Sequence, residues 1–140
     1  MSGTVLIIDD DDAISSLLME FLGSKGFSVY READGTSGAA KAREILPDLI
    51  TLDFNMPGAN GVETYNELRR YPETAVIPVI FFSSTLLGLI RRMLTENSRI
   101  RFLKKGCSTK ELEQCIAEMM ALPKLAPPPP LPPGKTDVQY

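Results

Sequence analysis

Two hydrophobic rhythms alternate along most of the chain. Val5 to Ile8 is an unbroken apolar run of strand length, the pattern of a strand covered on both faces. Ile14, Leu17, Leu18, Phe21 and Leu22 then recur at helical spacing, and Gly23 and Gly26 close that element. A second strand fits Phe27 to Arg31, and a second helix carries Ala39, Ala42 and Leu46 on one face before Pro47. Leu49 to Leu52 is a third apolar run. After a Pro-Gly loop the pattern predicts a third helix from about Val62 to Tyr71. Val76 to Phe82 reads as a fourth strand, with Pro78 near its start, where a missing N–H is tolerated. Leu86, Leu89, Ile90, Met93 and Leu94 define a fourth helix, and Ile100 to Leu103 a fifth strand. Ser108 and Glu111 form a capping box that opens a fifth helix, with Leu112, Cys115, Ile116 and Met119 inward.

Five strands alternating with five helices predict an α/β fold, a parallel sheet covered on both faces. Right-handed crossovers make it doubly wound, and ligands in such sheets lie beyond the carboxyl ends of the strands. The pattern stops at Leu122, and the run from Pro127 to Pro133 suits only extended polyproline II or disorder. The expected organisation is one domain over 1–121 and a proline-rich tail or linker over 122–140.

Composition narrows the function. The 140 residues suffice for one domain with a proper core. A net charge of −3, with acids and bases interspersed, offers no basic stripe, so nucleic-acid binding by this chain alone is not expected. The start lacks the basic, long apolar form of an export signal, and no run approaches the ~18 apolar residues of a membrane span. A cytoplasmic protein without membrane contact is expected. The chain has no histidine, which excludes zinc sites and imidazole acid–base catalysis of the usual kind. Cys115 lies on an apolar helix face, so the two cysteines read as reduced thiols rather than a disulfide.

The candidate chemistry sits at strand ends. Strand one ends at Asp9-Asp10-Asp11-Asp12, strand three at Asp53, strand four at Ser83-Ser84-Thr85 and strand five at Lys104-Lys105. Taken singly, these are a solvated acid run (Asp12 being placed to cap the next helix), a loop acid, a helix cap and surface lysines. Taken together, the sheet gathers them into one crevice. Three carboxylates there would repel one another unless a cation sat between them, and hard oxygen donors favour magnesium. A lysine and a hydroxyl beside that ion are equipment for holding a phosphoryl group.

The blocks VLIIDD, LDFNMPGANG, IPVIFFSS and FLKKG, in this order, resemble the receiver domain of two-component response regulators, the CheY-like superfamily. The resemblance covers about residues 4 to 121. Spacings agree as well: Asp10 to Asp53 is 43 residues, Asp53 to Ser83 is 30 and Ser83 to Lys105 is 22. It implies a flavodoxin-like, five-stranded sheet in the order 2-1-3-4-5, with five helices. Asp53 matches the phospho-acceptor, Asp10 a direct metal ligand and Asp9 an acid acting largely through water. The backbone carbonyl of Asn55 matches the third protein ligand of a Mg2+ ion. Lys105 matches the lysine that pairs with the phosphoryl group, and Ser83 the switch hydroxyl. Phe102 stands where the family keeps an aromatic that rotates inward on activation; without a hydroxyl its switch is steric.

The implied function is phosphorelay signal transduction. A sensor histidine kinase or a histidine phosphotransfer protein donates, and the domain is an acceptor that assists its own phosphorylation and dephosphorylation rather than an enzyme. The alternative is a pseudo-receiver, a binding platform independent of phosphorylation. A magnesium hydrolase would need a substrate-covering cap, for which no insert is long enough. Two departures from the family bear on the signalling face. Gly106 follows Lys105 where proline is usual, so a trans peptide and a looser aim of Lys105 are expected. The segment Glu96 to Ile100 also lacks the usual Gly-Ala turn. The apolar fourth helix, with Leu87 and Leu94 at its edges, predicts a homodimer through the face of the fourth helix, fifth strand and fifth helix. No output domain follows residue 121, so either a single-domain regulator or the front piece of a longer protein is expected.

Overall fold

A computed structural model of the protein describes residues 2–84, 87–95 and 97–125. Strands β1 (Gly3–Ile8), β2 (Phe27–Glu32), β3 (Leu49–Leu52), β4 (Val79–Ser83) and β5 (Ile100–Lys104) form one parallel sheet in the order β2-β1-β3-β4-β5. The helices are α1 (Asp12–Ser24), α2 (Gly35–Ile45), α3 (Gly61–Arg69), α4 (Pro72–Ala75), α5 (Leu87–Arg92) and α6 (Thr109–Met120). Alternation along each strand sorts its side chains between two cores. Leu6, Ile8, Ile50, Leu52, Val79 and Phe81 face the side closed by α2, α3 and α5. Val5, Ile7, Leu49, Ile80 and Phe82 face α1 and α6. Strand order reverses at β1, with β2 on one flank and β3 on the other. A crevice therefore opens between the carboxyl ends of β1 and β3.

The strand order and the capping box of Ser108 and Glu111 are as expected. Both cysteines are free, and Cys115 is buried, which pushes its thiol up to about 11. Other expectations are corrected. A sixth, one-turn helix, α4, precedes the fourth strand, started by Pro72 at its first position. Strand β4 begins only at Val79, because Val76 and Ile77 follow this turn. Pro78 joins the ladder through its carbonyl alone, accepting from the Ile50 N–H at 3.0 Å. Leu17 is 67% exposed, since Ser15, Leu18 and Leu22 already fill the inner stripe of α1. Leu46 does not face inward; it is the left-handed cap of α2 and half exposed. Asp11, not Asp12, caps α1, accepting from the Ile14 N–H at 3.0 Å.

Leu87 on α5 and Leu94, two residues past its end, lean on the core rather than forming exposed edges, and Ile90 is fully buried. Leu89 and Met93 are the exposed pair, at 47% each. Leu86, Thr85 and Glu96 lie outside the described residues, as does the proline run. Leu122 packs against the α1–α6 core, and Lys124 pairs with Asp48 at 2.9 Å. No helix among the described residues is long and apolar enough to cross a membrane.

Candidate functional site

Register builds the site. β1 and β3 run abreast with Ile8 opposite Leu52, so the next residues, Asp9 and Asp53, emerge level with each other. The Asp9 N–H donates to the Glu32 carbonyl on one flank, and the Asp53 N–H to the Ile8 carbonyl on the other, each at 3.0 Å. Both carboxylates are buried, while Asp10 is exposed at the mouth. Strand β4 brings Ser83 to zero exposure one step beyond the level of Asp53. The turn after β5 aims Lys105 inward. Its N–H donates to the Ser83 carbonyl and the Cys107 N–H to the Lys104 carbonyl, each at 3.0 Å. Gly106 supplies the φ of +95° that this turn requires at its third residue.

Lys105 joins the two buried acids. Its Nζ lies 2.8 Å from Asp9 Oδ2 and 3.3 Å from Asp53 Oδ2. The remaining carboxylate oxygens are occupied by backbone: Asp9 Oδ1 accepts from the Asp11 N–H at 2.9 Å, and Asp53 Oδ1 from the Phe54 N–H at 2.8 Å. Burial pushes the Asp9 carboxyl above its ordinary range, against the pull of Lys105 and the Asp11 N–H, and the Asp53 charge adds to the rise. Burial works against the charge of Lys105, but Asp9 and Asp53 outweigh it and hold the ammonium above its usual value. The glycine turn delivers the ammonium to both carboxylates. All described peptides are trans.

The acids suit a hard cation. Oxygens of Asp9, Asp10 and Asp53 lie within 4.8 Å of one another. That span is close to twice the ~2.1 Å bond magnesium makes to oxygen, so a slight closing brings all three to one ion. Asn55, two residues past Asp53, is exposed on the loop beside them. Gly61 holds that loop shut. Its N–H donates to the Phe54 carbonyl at 2.8 Å, and a Cβ there would overlap the Asp53 carbonyl oxygen. Phe102 stands outside the acid cluster: its ring stacks on Phe81 at 5.6 Å between centroids, and the Arg91 guanidinium lies 4.6 Å from its centre.

Sequence reasoning missed Arg31. Its Nε and Nη2 both donate to the Asp9 carbonyl, at 3.1 and 2.9 Å, and Nη1 donates to Asp12 Oδ1 at 2.8 Å. The available signal was a cation at the end of the strand that flanks the acid run.

The model for the response regulator receiver domain matches residues 5–117. Among curated relatives, a DNA-binding dual master transcriptional regulator, RpaA, of Synechocystis is 44% identical over 87 residues, which is 62% of this chain and 35% of that protein. The phosphate regulon transcriptional regulatory protein PhoB of Rhizobium meliloti is 33% identical over 83% of this chain and 51% of its own length. The chain thus spans about a third to a half of these relatives. The receiver domain of sensor histidine kinase PA1611 from Pseudomonas aeruginosa, solved with magnesium in its active-site cleft, has the same fold at a TM-score of 0.78. Identity to it is 21%, covering 87% of this chain and all of that one.

Proposed function

Because the chain belongs to the response regulator receiver family, we propose that it accepts a phosphoryl group from a phosphohistidine donor onto Asp53. The observation that carries this is one ammonium, Lys105, bridging two buried carboxylates that the sheet register sets side by side. Asp9, Asp10, Asp53 and the Asn55 carbonyl would hold Mg2+. When bound, the ion neutralises charge on the acids and on the incoming phosphoryl oxygens.

The chain's own groups do the rest. An Asp53 oxygen attacks phosphorus in line, the P–N bond breaks, and its electron pair stays with the leaving imidazole. Such a transfer needs positioning and charge neutralisation more than a strong nucleophile. Lys105 shifts from carboxylate to phosphoryl oxygen, and the buried Ser83 hydroxyl donates to another. The acyl phosphate later falls to water in the same pocket. Ser83 and Phe102 would then pass the change to the face of α5, β5 and α6, where Leu89 and Met93 are offered to a second copy. A sensor histidine kinase or a phosphotransfer protein is the donor, which places the domain in the cytoplasm, and no nucleic acid is bound by this chain alone. The acids, the hydroxyl and the lysine together disfavour a platform indifferent to phosphorylation.

Intact mass after incubation with a small phosphodonor and magnesium tests the reading. Wild type gains one phosphoryl increment and Asp53→Asn gains none. Equal phosphorylation of Asp53→Asn would reject the acceptor.

A further inference from the structure

The acids that would hold the ion sit on a loop, and a loop must be aimed. Asp9 is the first residue past β1, Asp12 the first of α1, and only Asp10 and Asp11 lie between. One side chain spans that gap. Arg31, on the flanking strand β2, closes two donors on the Asp9 carbonyl and a third on the Asp12 carboxylate. Its side chain is 23% exposed, whereas that of Asp12 is 90% exposed, so the clamp reaches from the interior outward. Holding the Asp9 carbonyl fixes the peptide plane between Asp9 and Asp10. That plane sets the direction in which the Asp10 side chain leaves the backbone.

We propose that Arg31 is a positioning residue for divalent-cation binding: its fork holds the loop between β1 and α1 so that Asp10 converges with Asp9 and Asp53. The inference rests on the magnesium-dependent reading above and extends it to a residue that touches neither ion nor phosphoryl group. The fork is what matters. A lysine carries the same charge but cannot grip the carbonyl and the carboxylate in one planar arrangement.

Two roles for this cation predict opposite signs. If Arg31 acted only through its charge, removing it would strengthen magnesium binding, since a positive group near a cation repels it. If it positions the acids, removing it weakens binding, as loss of a group that orients metal ligands does by ~10–100-fold. Calorimetric magnesium titration of wild type, Arg31→Gln and Arg31→Lys, with metal-free melting recorded beside each, separates them. Arg31→Gln should bind at least about tenfold more weakly. Arg31→Lys should stay several-fold weaker than wild type despite its retained charge, and serves as the milder variant if Arg31→Gln folds poorly. Excess magnesium should restore phosphoryl uptake in both. Unchanged or tighter binding in Arg31→Gln, or wild-type affinity in Arg31→Lys, would overturn the positioning role while leaving the acceptor reading intact. A wild type that binds no magnesium would overturn the reading itself, and this inference with it.

Discussion

Lys105 and Asp9 make the closest ion pair of the crevice, at 2.8 Å, closer than Lys105 to the proposed acceptor Asp53 at 3.3 Å. The ammonium therefore belongs first to Asp9, one of the three acids that would hold the proposed ion. On the proposed function, a cation held by Asp9 would compete with the ammonium for that carboxylate, and losing the contact would free Lys105 for a phosphoryl group.

Lys105→Met should consequently separate two properties. Without metal, two buried carboxylates lose their counter-ion, and the domain should be destabilised by roughly 2 kcal/mol, less than for a wholly buried pair because the crevice opens to water. Magnesium should bind more tightly than to wild type, since the competing charge is gone. Melting curves with and without magnesium, together with calorimetric titration, check both. Weaker magnesium binding in Lys105→Met would contradict the competition.

The loops that carry the site impose backbone demands. Gly61→Ala places a Cβ against the Asp53 carbonyl oxygen and 2.8 Å from the Phe54 Cα, so the loop after β3 must move. Phosphoryl uptake should fall steeply along with stability. Gly106→Ala meets no neighbour within 4 Å, yet its φ of +95° is strained for any side chain. That strain amounts to about 1–3 kcal/mol. Gly106→Pro should be worse, because the ring holds φ near −65° and cannot make this turn. Denaturant unfolding of the three variants ranks them, and a Gly106→Pro protein as stable as wild type would refute the turn assignment.

How much of this was legible beforehand differs by residue. Asp53 and Asp9 could be placed because each closes a short run that is apolar or, at Thr51, nearly so, and such runs mark buried parallel strands. Their level alignment could not, since parallel register is set by packing between layers rather than by local sequence. The proposed role of Arg31 depends on β2 lying beside β1, which the expected strand order already implied, and on its fork reaching the Asp9 carbonyl, which only side-chain geometry reveals. Val76 and Ile77 looked like strand because they are β-branched, but Pro72 starts a helical turn that consumes the segment. Leu17 looked inward because an apolar residue at helical spacing carries no mark of which stripe the sheet will cover.

Asp48 supplies a pH dependence away from the crevice. It accepts the Thr4 N–H at 2.8 Å and pairs with Lys124 at 2.9 Å, tying the start of β1 to the residues after α6. Burial alone would raise its pKa, but those two partners outweigh it and hold the carboxyl below its ordinary value. A depressed folded-state pKa means the stabilisation is complete above the unfolded value and disappears as pH falls through the folded one. Asp48→Asn should therefore cost roughly 1 kcal/mol at neutral pH, an amount limited by partial exposure, and nothing once wild-type Asp48 is protonated. Urea unfolding at neutral pH and near pH 3, in wild type and variant, should show the two converging in acid. A gap that persists or widens there would remove Asp48 as the titrating group.

The exposed part of α5 sets the last expectation. This six-residue helix is fastened by one fully buried side chain, Ile90, with Leu87 and Leu94 leaning on the core beside it. A single buried isoleucine contributes ~1.5–3 kcal/mol, enough to seat the helix but little enough to let it shift. Leu89 on α5 and Met93 just past its end, four residues apart, are each 47% exposed, and Arg91 between them covers Phe102. If phosphoryl transfer draws in Ser83, the packing of Phe81 against Phe102 changes, and with it the footing of Arg91 and the tilt of that apolar pair. A second copy presenting the same pair is the simplest cover, because a two-fold contact is self-complementary. Light scattering over a concentration series should show a dimer favoured by a phosphoryl mimic, lost in Leu89→Glu, and unaffected by Leu17→Glu on the opposite face of the sheet. A monomer at high concentration with and without the mimic, and a silent Leu89→Glu, would refute the dimer face while leaving Asp53 untouched.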